Sequence, residues 1–235
     1  MPLGVFHGRP VALTLLLCAL VAVPADAQRP NRNHWPTEAA IGRDEGPVAD
    51  QALRDAPSNP AEWLHYGGNY QSWRHSPIER LTPESVAELK LTWMAQTGVP
   101  GQLEASPVVY DGILYLTSAR NRLLALDAKT GELYWRYDHP LPDNLRLCCG
   151  PANRGVAIAD DVVLMATLDA KLVALGRKTG VVAWETTIDD YTVGFSATSA
   201  PLVIGDIAVI GVGGGEYGVR GYFDGYDVTS GERRW

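Results

Sequence analysis

The sequence predicts an all-β protein of the β-propeller type, made of repeated small antiparallel sheets. The first observation is a segment that recurs three times. Ala-Leu-Asp-Ala-Lys-Thr-Gly-Glu-Leu-Tyr-Trp at 125–135 returns as Ala-Leu-Gly-Arg-Lys-Thr-Gly-Val-Val-Ala-Trp at 174–184 and as Gly-Tyr-Asp-Val-Thr-Ser-Gly-Glu-Arg-Arg-Trp at 225–235. The closing residues Trp135, Trp184 and Trp235 stand 49 and 51 residues apart, the period of propeller blades. The second observation is composition: 24 Gly, 16 Pro and 7 Trp suit short strands joined by tight turns better than helices. The third is that short apolar runs between the copies are separated by turn dipeptides such as Asp111-Gly112, Asp160-Asp161 and Gly205-Asp206.

Taken in chain order, Arg9 and His7 precede an apolar run from Val11 to Val23, followed by Ala25-Asp26-Ala27. A run of 13 residues is too short to span a bilayer, and basic flank, apolar core and small-x-small site together predict a signal peptide at 1–27. A buried N-terminal helix is the alternative. No later stretch is long and apolar enough to span a membrane. Residues 28–61 are polar and Pro-bearing and predict a flexible leader, with a short helix near Val48 to Arg54. Residues 62–235 hold the propeller domain. Within it, Thr82 as cap, Pro83 at the first position and Glu84 in the first turn predict a short helix, and Leu91 to Ala95 reads as a strand. Further strands are expected at Ala105–Val109, Ile113–Thr117, Gly155–Ile158, Val162–Thr167, Ala200–Ile204 and Ile207–Gly211. In each repeat the Thr-Gly or Ser-Gly pair supplies the turn, and the Trp packs on a neighbouring sheet.

A net charge of −7 argues against nucleic acid, which wants a basic face. It is compatible with a basic protein partner, although a mild acidic balance also serves solubility. Five histidines are scattered without metal-ligand spacing, and the chain has no CxxCH haem site.

Once Cys18 leaves with the signal peptide, Cys148 and Cys149 remain, adjacent in sequence. Export to an oxidising compartment favours a bond between them. Neighbouring Cα atoms lie ~3.8 Å apart, inside the ~4.4–6.8 Å that disulfides prefer. Such a bond is strained and closes almost no loop, so its use is local, as a rigid flat surface or a redox switch. Two free thiols are the alternative. A second feature is Gly211 to Gly221, where six glycines surround Glu216. Gly213 to Gly218 fits G-x-G-x-x-G in form, but no helix follows, which excludes a dinucleotide turn. Glycines admit a flat ligand close to the backbone, and a lone carboxylate suits a hard cation; a solvent-facing turn is the competing reading. Glu104 and Arg154 are further candidates, each of a type that also forms surface ion pairs.

These features together resemble the PQQ-dependent (quinoprotein) methanol and ethanol dehydrogenase family over residues 63–235. The resemblance opens at Trp63-Leu64-His65-Tyr66-Gly67-Gly68-Asn69-Tyr70 and Arg74-His75-Ser76-Pro77. It continues through Glu104 and Cys148-Cys149-Gly150-Pro151-Ala152-Asn153-Arg154-Gly155, and closes on Gly213 to Gly221. It implies an eight-bladed propeller holding pyrroloquinoline quinone under a vicinal disulfide, here Cys148 with Cys149. Glu104, Arg154 and Thr198 match positions that contact the quinone; Gly213, Gly214 and Gly215 match the stretch beside it. Glu216 matches a ligand of Ca2+ or a lanthanide. The implied reaction is alcohol oxidation in the periplasm, with an Asp base taking the alcohol proton, hydride passing to the quinone and a cytochrome c collecting electrons.

Two departures stand out: Gly176 replaces the Asp of the repeat, and residues 194–201 around Thr198 differ from the family wording. Eight blades of ~50 residues need roughly 400, so about four blades are expected here. The catalytic Asp then lies downstream, and this stretch alone is expected to oxidise no alcohol. A non-catalytic exported scaffold, similar to outer-membrane assembly factors, explains the signal and the Trp spacing. It gives no reason for adjacent cysteines or for Glu216 among glycines.

Overall fold

The computed structural model describes residues 45–235, which fall within one compact unit of the chain. The signal peptide expected at 1–27 and the first part of the leader lie outside the described residues. Helix α1 (Asp50–Asp55) forms where the short leader helix was expected, and its Leu53 is buried. Val48, just before it, pairs with Asp160 by two backbone bonds of 2.9 Å.

Among the described residues eleven strands make three antiparallel sheets. β1 (Val108–Tyr110), β2 (Ile113–Ser118), β3 (Arg122–Asp127) and β4 (Leu133–Asp138) pair in chain order. β5 (Ala157–Ala159), β6 (Val162–Ala166), β7 (Lys171–Gly176) and β8 (Val182–Thr187) repeat that order. β9 (Leu202–Ile204), β10 (Ile207–Gly211) and β11 (Phe223–Asp227) make the third sheet, to which Tyr226↔Arg233 adds the first bridge of a fourth strand. Strand order equal to chain order is the meander of propeller blades. The sheets bury β-branched and Leu side chains between them, with Val108, Ile113, Leu123, Val163, Leu164, Leu172, Val173 and Ala208 fully enclosed.

The repeat owes its residue types to one recurring contact. Gly131, Gly180 and Gly231 all have φ near +70°, which side chains resist, and each closes its turn by donating its amide to Asp127, Gly176 or Asp227 at 2.8 Å. A Cβ built on Gly180 would fall 2.6 Å from the Trp135 ring, and one on Gly231 2.5 Å from the Trp184 ring. The same tryptophans donate their indole N–H to the Arg177 and Val228 carbonyls at 3.0 Å. Each Trp thus locks its sheet to the turn of the next.

Gly176 keeps the backbone turn without the carboxylate of its counterparts. The Thr179 hydroxyl sits 2.6 Å from where a Cβ would stand.

Leu91–Ala95, expected as a strand, pairs with no strand among the described residues, and Leu91 and Met94 are 82% and 77% exposed. A strand is defined by its ladder, and this one has no partner. Trp93 nevertheless makes the contact of the repeat: its ring lies 2.5 Å from a Cβ built on Gly131, and its indole donates to the Ala128 carbonyl at 3.3 Å. The described residues therefore hold three sheets and the outer segment of a fourth repeat. The helix expected after Thr82 is only a 3-10 turn, Ser85–Glu88, although Thr82 Oγ1 does accept from the Ser85 amide at 3.2 Å. Val86 and Leu89 stay exposed, so no apolar face exists to hold a longer helix.

Candidate functional site

In an up-and-down sheet the start of the first strand, the second hairpin and the end of the fourth strand share one end. Residues 96–107 before β1, 139–156 between β4 and β5, 188–201 between β8 and β9, and the β10–β11 hairpin at 212–222 all meet at that end. Every residue singled out from sequence for cofactor or metal lies on these four segments.

Arg154 is their hub. Its side chain reaches Glu104 Oε2 at 3.0 Å and donates to Thr198 Oγ1 at 2.6 Å. Its amide donates to the Thr198 carbonyl at 2.9 Å, and its carbonyl accepts from Ser106 at 3.2 Å. Gln102, with its amide nitrogen turned toward them, donates to Glu104 Oε1 at 3.2 Å and to the Cys149 carbonyl at 3.1 Å. A continuous chain of polar contacts thus runs from the cysteines to Thr198.

Cys148 and Cys149 are exposed thiols whose sulfurs lie 2.6 Å apart, against roughly 2.05 Å for a bond. Contacts from Cys149 and then from the Glu216 carboxylate push the Cys148 thiol up to about 12. The hydrogen bond with Cys148 in turn holds Glu216 below the usual carboxylate range, so the carboxylate is charged at neutral pH. The cysteine pair and the lone carboxylate therefore share one corner of the site.

Glycines make that corner possible. Gly213 pairs with Ser196 through two backbone bonds, 2.8 and 3.3 Å. Gly214, at φ +119°, lies so close to the Gly194 carbonyl that any Cβ would collide with it. A Cβ on Gly215 would meet nothing within 4 Å, so its missing side chain leaves open space beside Glu216.

The donor set suits a flat, carboxylate-bearing ligand with a cation. Arg154 supplies a guanidinium fork, Thr198 a hydroxyl, the sulfurs an exposed polarisable face and Glu216 a hard oxygen ligand. Among the described residues no group of three or more His, Cys, Asp or Glu gathers as a metal site.

Sequence reasoning missed the residues that support these loops. Buried Asn153 donates to Asn121 Oδ1 at 3.0 Å and to the Ala166 carbonyl at 2.8 Å, while its carbonyl accepts from Thr117 at 3.3 Å. It fixes the turn between Cys149 and Arg154. Buried His139 lies 2.9 Å from Asp169 and 3.0 Å from the Tyr137 hydroxyl, joining the first two sheets beneath the site. Gln102 carried a usable signal, since in an extended chain it shares a side with Glu104 two residues on. A mostly apolar cavity of about 320 Å³ lies between β5, β9 and residues 64–72. Of the residues expected to bind cofactor or metal, only Arg154 lines it.

Comparison with known proteins agrees with the blade architecture. The family model described as the PQQ glucose/ethanol/alcohol dehydrogenase β-propeller domain matches residues 63–235. The chain is 39% identical over 190 residues to quinoprotein alcohol dehydrogenase PedH of Pseudomonas putida, covering 80% of this chain and 32% of that protein. It is 38% identical over 210 residues to 1-butanol dehydrogenase (quinone) of Thauera butanivorans, covering 85% and 34%. A europium-containing methanol dehydrogenase superposes with a TM-score of 0.75 at 34% identity, covering 79% of this chain and 33% of that one. The chain thus spans about a third of the length of these relatives. Blade repeat, converging loops and sequence match agree: the chain belongs to the PQQ glucose/ethanol/alcohol dehydrogenase β-propeller family.

Proposed function

We propose that this chain is the N-terminal part of an exported, periplasmic quinoprotein that oxidises primary alcohols, with residues 1–27 as signal peptide, 28–61 as leader and 62–235 as the propeller portion. The observation that carries the reading is the meeting of Glu216 with Cys148 at the end of the sheets where Arg154 joins Glu104 and Thr198. A scaffold without cofactor would have no use for a charged carboxylate set against adjacent cysteines.

In this reading Arg154, Thr198 and Glu104 bind the carboxylates and ring oxygens of pyrroloquinoline quinone, and Gly213, Gly214 and Gly215 let it lie along the backbone. Cys148 and Cys149, closed to a disulfide on export, present a flat face that excludes water and fixes the plane of the ring. Glu216 ligates Ca2+ or a lanthanide, the latter supported by the europium-containing relative. When bound, the quinone supplies the hydride acceptor and the cation a Lewis acid on its carbonyl. A cytochrome c is the proposed electron acceptor, supported by the similarity to a cytochrome c-linked 1-butanol dehydrogenase.

The test is dye-linked oxidation of ethanol and 1-butanol by the full-length protein, loaded with pyrroloquinoline quinone and either cation. Activity should require both additions and fall at least about 100-fold in Glu216→Ala. Mass spectrometry of the exported protein should show an N-terminus at Gln28 and a Cys148–Cys149 bond. Alcohol oxidation that ignores the quinone, or none at all when both are supplied, contradicts the proposal.

A further inference from the structure

Arg146 stands two residues before Cys148, on the segment between β4 and β5 that carries the cysteines, and is exposed. Its guanidinium carbon lies 4.7 Å from the centre of the Tyr217 ring, a cation–π contact on the residue next to Glu216. Tyr217 is itself seated against Gly194, where a Cβ would fall 2.6 Å from the Tyr217 Cβ. The Tyr217 hydroxyl is held above its ordinary range, first by burial and then by the charges of Cys148 and Glu216, with Arg146 opposing them. Arg146, Cys148 and Glu216 therefore gather around one ring.

What separates Arg146 from Arg154 is commitment. Arg154 is engaged by Glu104 and Thr198. Arg146 forms no ion pair among the described residues and is held by a ring face, which leaves its fork of N–H donors free. A stacked guanidinium loses little freedom on binding a carboxylate, and its fork matches that group two bonds at a time. Tyr217 adjoins Glu216, the proposed cation ligand, so the ring seat brings Arg146 near the place proposed for the cation.

We propose that Arg146 is a specificity-determining residue that pairs with the carboxylate of an anionic alcohol, so that ω-hydroxycarboxylates are favoured substrates of this site. The proposal rests on the alcohol-oxidising reading above. An exposed ion pair in water is worth little. Here the ring seat orders the cation beforehand, and a tenfold preference is the scale expected of one such contact.

The experiment compares 1-butanol with 4-hydroxybutanoate, and 1-hexanol with 6-hydroxyhexanoate, on the full-length protein loaded with quinone and cation. In Arg146→Gln the ratio of kcat/KM for the hydroxy acid over the neutral alcohol should drop about tenfold, mainly through KM. Arg146→Lys should keep part of that ratio, since charge remains while the fork is lost. A second arm titrates butanoate, which has no hydroxyl to oxidise, into the same proteins by calorimetry; wild type should bind it about tenfold more tightly than Arg146→Gln. An unchanged ratio, or equal loss on neutral and anionic alcohols, overturns the role. If no alcohol is oxidised at all, the quinone reading fails, while the butanoate titration still decides whether Arg146 captures a carboxylate.

Discussion

Asp127 shows how much one side chain does for a turn. Its carboxylate accepts from the Lys129 and Thr130 amides at 2.8 and 2.7 Å and from the Tyr134 hydroxyl at 2.6 Å. Chiefly through the Tyr134 bond, its carboxyl is held below the usual range. A carboxyl depressed in the folded state stabilises it above the unfolded value of roughly 3.9 and loses that effect as pH falls through the folded value. In Asp127→Asn the loss of denaturant midpoint relative to wild type should therefore be largest above about pH 5 and shrink toward pH 3. A difference that stays constant with pH would show that the charge has no part in it. Cys148 offers a second residue-level check, because two neighbours hold its thiol up to about 12. After reduction, alkylation of Cys148 at pH 8 should be slow in wild type and faster in Glu216→Gln, where the carboxylate charge is gone. Peptide mass spectrometry over a time course reads this directly, and equal rates would deny the contact.

At the scale of elements, stability passes from sheet to sheet through the Trp–Gly contacts. Trp135 is fully buried, stacks over Gly180 and donates to the Arg177 carbonyl, so Trp135→Phe loses both ring area and a buried bond. A cost of about 2 kcal/mol is expected in urea unfolding, and a smaller one for Trp93→Phe, whose ring is only half-buried. Equal costs would mean that the contact does not scale with burial. The Asp-x-x-Thr/Ser-Gly turns and the strands around them were legible, because a turn needing positive φ and a strand ending in Trp leave marks within a dozen residues. Trp93 was not legible as a repeat member. Among the described residues no strand precedes it, and its partner Gly131 lies 38 residues later. The same reason explains why Leu91–Ala95 looked like a strand: local pattern reports an extended chain, whereas pairing depends on what lies alongside.

Across the whole molecule, the site is a product of topology. Glu104, Cys148, Arg154, Thr198 and Glu216 span more than a hundred positions, and the up-and-down sheets bring their loops to one end. The sequence marked these residues by type and by resemblance, but not the contacts among them, since loop convergence is set by how successive sheets stack. Arg146 went unmarked because nothing in its local pattern separates it from an ordinary surface residue; Asn153 was quoted within the resembling stretch without a role, and the spacing of Gln102 from Glu104 tells only once the chain there is known to be extended. The central claim is that Glu216 and the Arg154 cluster hold one quinone–cation unit. Equilibrium titration of pyrroloquinoline quinone into the full-length protein, with and without Ca2+ or a lanthanide, tests it most directly. The account predicts that cation tightens quinone binding in wild type, that Glu216→Gln abolishes this tightening, and that Arg154→Met weakens binding with or without cation. Quinone affinity indifferent to cation, to Glu216 and to Arg154 would contradict it.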